Sequence, residues 1–478
     1  MCENEVRETQ TEHVAQKRLR NRLCMGKKVK LFADGLAYSA KGFLNCRKNT
    51  KGRRFEKPGL TERAGVMETS LERIRQQIEQ LAQFNETPGN GCTRFSYSEE
   101  DRKARQYLKG CMEELGLTVS TDAIGNMKGR LEGNNPDLAP IMCGSHIDTV
   151  RHGGNYDGIA GVVGAIETAR VLKEHGITLE HPYEVMIFAE EEGSNFNAPT
   201  TGSKALAGHL SMADLKRLKN DQGVTYYDVL KNAGYNPEGV EDLKVQPGDI
   251  RAMLEMHIEQ SVLLERKNLS VGVVRGIAGI RAYVMEIEGM SNHAGATPMD
   301  LRNDPMVAAG RIITALPELV RNHGGPATVG TVGRIECVPN QFNVIPQKVR
   351  FTLDIRDVDN DAMDRVLEAV RTYGQEVANQ DNVSVTLEKM IESRGNMISK
   401  EIADVFEDVV RERNIPYTNM NSGAVHDAAI MTEVTEVGMV FVPSINGRSH
   451  VPEEYTPYEN IKEGCDVLLD AVLRIDQM

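Results

Sequence analysis

The chain has 478 residues, 40% of them hydrophobic and 26% charged, with a net charge of −13, a composition suited to a soluble globular protein of several domains. The acidic balance argues against nucleic acid as a partner, and no apolar run reaches the 18 residues of a membrane span. Eight scattered cysteines, none in a Cys-x-x-Cys pair, fit reduced thiols in a cytoplasmic protein better than a disulfide framework.

Residues 1–66 form a basic extension, with clusters such as Lys17-Arg18-Leu19-Arg20 and Lys51-Gly52-Arg53-Arg54 and no sustained hydrophobic period. A disordered segment is expected there. The first regular element is expected at 68–84, where Leu71, Ile74, Ile78 and Leu81 fall on one helical stripe. A second amphipathic helix over 99–115 precedes short strands at 117–120 and 126–130. The apolar run 139–143 reads as a buried strand that ends in Gly144-Ser145-His146-Ile147-Asp148, and Asp157 follows in a Gly-rich loop. Carboxyl ends of strands are where open α/β sheets hold ligands. Neutral His and ionised Asp there suit a divalent metal, although a His hydrogen-bonded to Asp148 in an ordinary turn fits the same residues.

A helix rich in small residues is expected over 158–174, then a strand over 183–189 that runs into Glu190-Glu191-Glu192. Three successive carboxylates are costly to crowd together unless a cation shares the site; an exposed acidic turn is the alternative. After a polar, mostly helical stretch, the apolar strand 253–260 delivers His257. Another at 439–442 leads to Asn446-Gly447-Arg448-Ser449-His450. Each His alone reads equally well as a core residue. Three strand ends thus offer His and two offer carboxylates, and independent core histidines would not be expected to repeat that position.

Between 278 and 391 the pattern changes. Strand 281–288, helix 304–320, strands 328–338 and 348–356, helix 361–379 and strand 383–388 give the order βαββαβ, the ferredoxin-like unit. Its size suits an insertion into a larger α/β domain, with hinges near 278 and 392.

The motifs GSHIDTV, GGNYDGIAGV, AEEEGSNF, MHIEQ, SNHAGATPM, NVIP, DIR, SGAVHDA and GRSHVPEE carry a resemblance that spans about 67–478. The chain resembles the aminoacylase/carboxypeptidase superfamily of di-metal hydrolases. Within it, it is similar to the branch of N-carbamoyl-L-amino-acid hydrolase, β-ureidopropionase and allantoate amidohydrolase. The resemblance implies a mixed-sheet α/β metallohydrolase domain, 67–277 and 392–478, interrupted by an inserted ferredoxin-like dimerisation and lid domain, 278–391.

The same resemblance implies two divalent ions per subunit, zinc in first place, with manganese, cobalt or nickel as alternatives. Asp157 would bridge them, His146 and His257 completing one site and Glu192 and His450 the other. Glu191 matches the general base acting on a hydroxide held between the metals, and Asp148 would orient His146. Gln260, His293, Asn343 and Arg356 match the substrate-binding set, with His293 and Asn343 reaching the site of a partner subunit in a homodimer. The implied substrate is a small ureido carboxylate, an N-carbamoyl-L-amino acid or allantoate; an aminoacylase, a dipeptidase and a non-catalytic binding protein are competing readings. Two positions depart from the pattern: Asn195, where many relatives carry Arg, and Val425, where Gly is frequent. Both bear on substrate choice more than on reaction type.

Overall fold

The computed structural model describes residues 67–478, so the extension expected over 1–66 lies outside the described residues. Helix α1 (Leu71–Leu81) starts at Ser70, whose side chain accepts the Arg73 N–H, and it buries Ile74, Ile78 and Leu81. Helix α2 (Glu99–Glu114) is capped by Ser98 and carries three acidic residues in its first turn, where the helix dipole favours them.

The chain then lays down β1 (Thr118–Thr121), β2 (Met127–Leu131) and the wholly buried β3 (Ile141–His146). Helix α3 (Ile159–Glu174) packs so closely on the sheet that a Cβ at Gly161 would lie 2.3 Å from the Met256 carbonyl oxygen. Next come β4 (Tyr183–Phe188), the short α4 (Thr201–Ala207), β5 (Ala252–Ile258) and β6 (Val271–Ile277). Strands β3, β4 and β5 are buried along their whole length. They read as continuous apolar runs because both faces of the sheet are covered.

The inserted unit follows: β7 (Gly279–Glu288), β8 (Asn292–His293), α5 (Pro305–His323), β9 (Val329–Thr331), β10 (Ile335–Val338), β11 (Val344–Ile345), β12 (Lys348–Asp357), α6 (Asn360–Asp381) and β13 (Ser384–Ser393). Its strand order β10-β12-β7-β13, antiparallel throughout, is that of the ferredoxin-like unit. On β12 every second residue is buried, which turns Val349, Phe351, Leu353 and Ile355 into a second hydrophobic core with Ile312, Leu316 and Val366 of α5 and α6. The single strand expected over 328–338 is two short strands, β9 and β10, both paired to β12. The break falls at Gly333, beside which the Arg334 N–H donates to Thr352 Oγ1 at 3.1 Å instead of continuing the ladder.

The chain returns through β14 (Asn396–Met397), α7 (Lys400–Glu412), β15 (Tyr417–Ser422), α8 (Asp427–Met431), β16 (Val437–Val442) and α9 (Tyr458–Ile475). Nine strands then form one mixed sheet in the order β1-β2-β4-β3-β5-β16-β6-β14, with β15 on β6. The four central strands β4, β3, β5 and β16 are mutually parallel, so their carboxyl ends share one edge. That shared edge positions the site.

Candidate metal centre

Four loops leave that edge with chemistry on them. His146 is the last residue of β3, Glu191 and Glu192 follow β4, His257 lies near the end of β5, and His450 lies in the loop beyond β16. Asp157 comes from the loop before α3 and stands among them. Its Oδ1 lies 3.5 Å from His146 Nε2 and 3.2 Å from His257 Nε2. Its Oδ2 lies 3.5 Å from His450 Nε2, which is in turn 3.3 Å from Glu192 Oε1. Among the described residues three clusters could hold a cation; two of them, His146/Asp157/His257 and Asp157/Glu192/His450, share Asp157, and the third, Glu255/His257/His426, lies behind His257. A Cβ at Gly158, whose φ is +66°, would come within 2.5 Å of the His146 ring, so only glycine lets this loop approach.

The imidazoles are presented as metal ligands require. His146 Nδ1 lies 3.0 Å from the Asp148 carbonyl oxygen and His257 Nδ1 lies 2.9 Å from that of Ile258. A carbonyl only accepts, so Nδ1 carries a proton, and Nε2, which faces Asp157, is the nitrogen left for a metal. His146 Nε2 is buried and has no hydrogen-bond partner, an orphaned nitrogen that a cation would satisfy. Nitrogen and carboxylate donors in this mixture suit zinc and its neighbours. The residues present therefore fit the divalent pair expected from the resemblance.

Asp148 acts through two different groups. Its backbone carbonyl holds His146, while its carboxylate, 3.7 Å from Nδ1, accepts the Glu191 and Glu192 amides at 3.3 and 3.1 Å. The reading of three carboxylates around one cation is corrected at Glu190. It adopts φ +54° and turns away, and its Oε1 accepts the Asn195 and Phe196 amides at 2.9 and 3.0 Å. Burial pushes Glu190 up to about 8. Glu191 points the other way, with Oε2 3.6 Å from His146 Nε2. Burial raises its carboxyl well above the usual range; His146 opposes this, and Glu192, Asp427 and Asp148 reinforce it. Asp157 is held well below the usual range, because His257, His146 and His450 outweigh the cost of its burial.

Gln260 Nε2 donates to Asp157 Oδ2 at 2.7 Å, so this substrate-set residue lies at the centre. His293, Asn343 and Arg356 belong to the insert, and none of them is hydrogen-bonded to a ligand residue among the described residues. The β8–β11 pair brings His293 opposite Val344, and the Ala294 N–H donates to the Asn343 carbonyl at 3.0 Å. The exposed His293 ring receives the Gly295 and Ala296 amides on Nδ1 at 3.1 and 3.2 Å, which leaves the proton on Nε2 as an outward donor. Arg356 makes a two-pronged pair with Asp354 at 2.9 and 3.0 Å and also donates to the Gly423 carbonyl. Asn195 turns its side chain to the Ser96 carbonyl, and Val425 packs against the main core.

Residues that sequence reasoning passed over complete the centre. Ser449 Oγ lies 2.7 Å from Asp157 Oδ2. His426 sits edge-on to His257 with ring centroids 4.5 Å apart, its Nε2 2.9 Å from Ser422 Oγ. Burial and the neighbouring His257 hold its pKa well below the ordinary value. Glu454, also in the His450 loop, is buried against the Asp157 loop. The strings SGAVHDA and GRSHVPEE contain these residues, but only the folded geometry reveals what they touch.

Residues 142–474 match the family model described as peptidase family M20/M25/M40. Among curated relatives, the N-carbamoyl-L-amino acid amidohydrolase of Geobacillus stearothermophilus is 38% identical over 85% of this chain and 98% of its own length. A ureidoglycolate hydrolase of Oryza sativa subsp. japonica is 36% identical over 84% of each chain. The allantoate amidohydrolase of Escherichia coli K12 is 34% identical over 83% of this chain and 96% of its own. A crystallised amidase of the hydantoinase/carbamoylase family from Burkholderia multivorans superposes with a TM-score of 0.82, at 32% identity, over 87% of this chain and 100% of that one.

Proposed function

From the premise that the chain belongs to peptidase family M20/M25/M40, we propose that this amidohydrolase uses two divalent ions to hydrolyse the ureido C–N bond of N-carbamoyl-L-amino acids. The observation that carries the reading is Asp157 placed between two ligand groups with Glu191 beside them. When bound, the ions supply Lewis-acid charge that activates water and polarises the ureido carbonyl, a poor electrophile.

The chain's own residues do the rest. Glu191 acts as its carboxylate, made a stronger base by burial: it takes the proton of the attacking water and returns it to the leaving nitrogen. His293 offers its Nε2–H to the oxygen on which negative charge develops, a donor worth roughly 3 kcal/mol when correctly placed. Gln260 and Asn343 supply amide contacts. Arg356 grips the substrate carboxylate through parallel hydrogen bonds that Lys could not copy.

His293 and Asn343 are exposed on the insert, beside Phe342 at 98%, Met299 at 76% and Leu301 at 61% exposure. So much apolar surface near polar substrate-type residues supports residues 278–391 as a dimerisation and lid domain, with His293 and Asn343 serving the partner subunit's site. The catalytic domain is then 67–277 with 392–478. Zinc is the proposed metal on its donor set, and the cytoplasm the proposed compartment; no helix among the described residues is long and apolar enough to cross a membrane.

Similarity to the Escherichia coli allantoate amidohydrolase favours allantoate as the second reading, since it too carries a ureido group and a carboxylate. Purified, metal-loaded protein assayed against N-carbamoyl amino acids, allantoate and N-acetyl amino acids tests both. Turnover of N-carbamoyl-L-amino acids in preference to allantoate supports the first reading, and the reverse preference supports the second. Turnover of N-acetyl amino acids alone overturns both.

A further inference from the structure

We infer that Glu454 is a positioning residue for the metal pair, clasping the loop that carries Asp157 to the loop that carries His450; this rests on the two-ion reading above. Glu454 is 5% exposed, and both carboxylate oxygens are engaged. Oε1 accepts the Tyr156 and Asp157 amides at 2.9 and 3.1 Å. Oε2 accepts the Ser449 hydroxyl at 2.9 Å and the His450 amide at 3.3 Å. One oxygen thus serves each loop, and the Glu454–Asp157 bond joins positions 297 residues apart. Gly154 makes room for this, since a Cβ there would lie 2.0 Å from Glu454 Oε1.

The clasp matters unequally to the two ligand groups. His146 and His257 stand on strands of the central sheet, and each ring is pinned through Nδ1 by a carbonyl. His450 has neither support. It lies in a loop with φ +60°, its side chain is 45% exposed, and its ring has no carbonyl partner among the described residues. Its distance from Glu192 and Asp157 therefore depends on how the loop is held, and Glu454 holds it on the backbone of Asp157 itself. The Ser449 hydroxyl has one proton for two carboxylates, Asp157 Oδ2 at 2.7 Å and Glu454 Oε2 at 2.9 Å, which ties the clasp further to the bridging ligand. A carboxylate presents acceptors on both oxygens. An amide of the same shape presents one, and its NH₂ would face donors on the other side.

Glu454→Gln is therefore expected to leave the fold and the His146/Asp157/His257 ion in place while weakening the Glu192/His450 ion roughly 10–100-fold, the usual cost of losing a residue that orients metal ligands. The measurement is zinc bound per chain in chelator-buffered titrations of wild type, Glu454→Gln and His450→Ala, with the melting temperature as a fold check. Wild type should take up two ions. Glu454→Gln should take up one with wild-type affinity and the second only at raised zinc, and turnover should return with the second ion at unchanged KM. Gly154→Ala, which displaces the Glu454 side chain without removing it, should reproduce the same selective loss. Two ions at wild-type affinity in Glu454→Gln, or equal weakening of both in a folded protein, would overturn the inference. A single ion in wild type would instead overturn the two-ion reading on which it rests.

Discussion

Replacing Glu191 by Gln separates the chemistry of this site from its construction. Gln has the same shape, and Glu191 belongs to neither ligand group, so the metal content should not change. Neither adjacent glutamate is placed to take over. Glu192 faces His450 at 3.3 Å, and Glu190 is turned onto the Asn195 and Phe196 amides. Turnover should therefore fall by roughly 100-fold or more, about 2.7 kcal/mol or more of lost transition-state stabilisation. KM should stay close to wild type.

The same variant should raise the stability of the metal-free protein. A carboxyl whose pKa in the fold lies above its unfolded value of 4.5 stabilises the fold only while protonated. That contribution is fully present below the unfolded pKa and is lost as pH rises through the folded one. Gln stays neutral and avoids the loss. The metal-free variant should therefore melt above metal-free wild type at pH 7, with the gap closing below the unfolded pKa. Steady-state kinetics, metal analysis and calorimetric melting at two pH values make the test. Near-normal turnover with both ions bound would refute the role of Glu191 as proton carrier. An unchanged or lower metal-free melting temperature would refute the electrostatic argument.

Asp157→Ala should lose both ions, because both ligand groups share that carboxylate; two ions retained per chain by metal analysis would count against a bridging ligand. His293→Ala and Glu191→Gln chains, each nearly inactive alone, should regain about a quarter of wild-type activity when mixed and allowed to exchange fully. Half the dimers are then mixed, with one intact site each. No recovery despite exchange, followed by native mass spectrometry, would place His293 in its own subunit's site or outside catalysis. Zinc binding at neutral pH should release protons. In the metal-free centre Asp157 and Glu192 push His450 up to about 11, and His146 and His257 are raised because neighbouring carboxylates outweigh their burial. Zinc affinity should then fall as pH falls, and calorimetry in buffers of different ionisation enthalpy should report the release; a buffer-independent heat would contradict it.

Much of this candidate centre was legible before folding because its candidate ligands follow strands buried on both faces. Such strands read as unbroken apolar runs, and the polar residues that end β3, β4, β5 and β16 stand out against them. The βαββαβ order of the insert was legible for a related reason, since the alternation along β12 and the helical stripes of α5 and α6 are local periodicities. Strands β6 and β15 were not. Gly272, Gly276 and Arg275 interrupt the first, and the second, Tyr-Thr-Asn-Met-Asn-Ser, is polar and half exposed; pairing partners rather than composition make them strands.

Tertiary structure alone decided which strand ends meet. The order β4-β3-β5-β16 sets candidate ligands from His146 to His450 around the Asp157 carboxylate, and strand order is a property of pairing across hundreds of residues. It also decided which of three adjacent glutamates faces away, because that depends on the Asn195 and Phe196 amides waiting for Glu190. The Glu454 clasp was invisible for the same reason. Its partners are mostly backbone N–H groups, which every residue but proline carries, so a sequence cannot say where they converge.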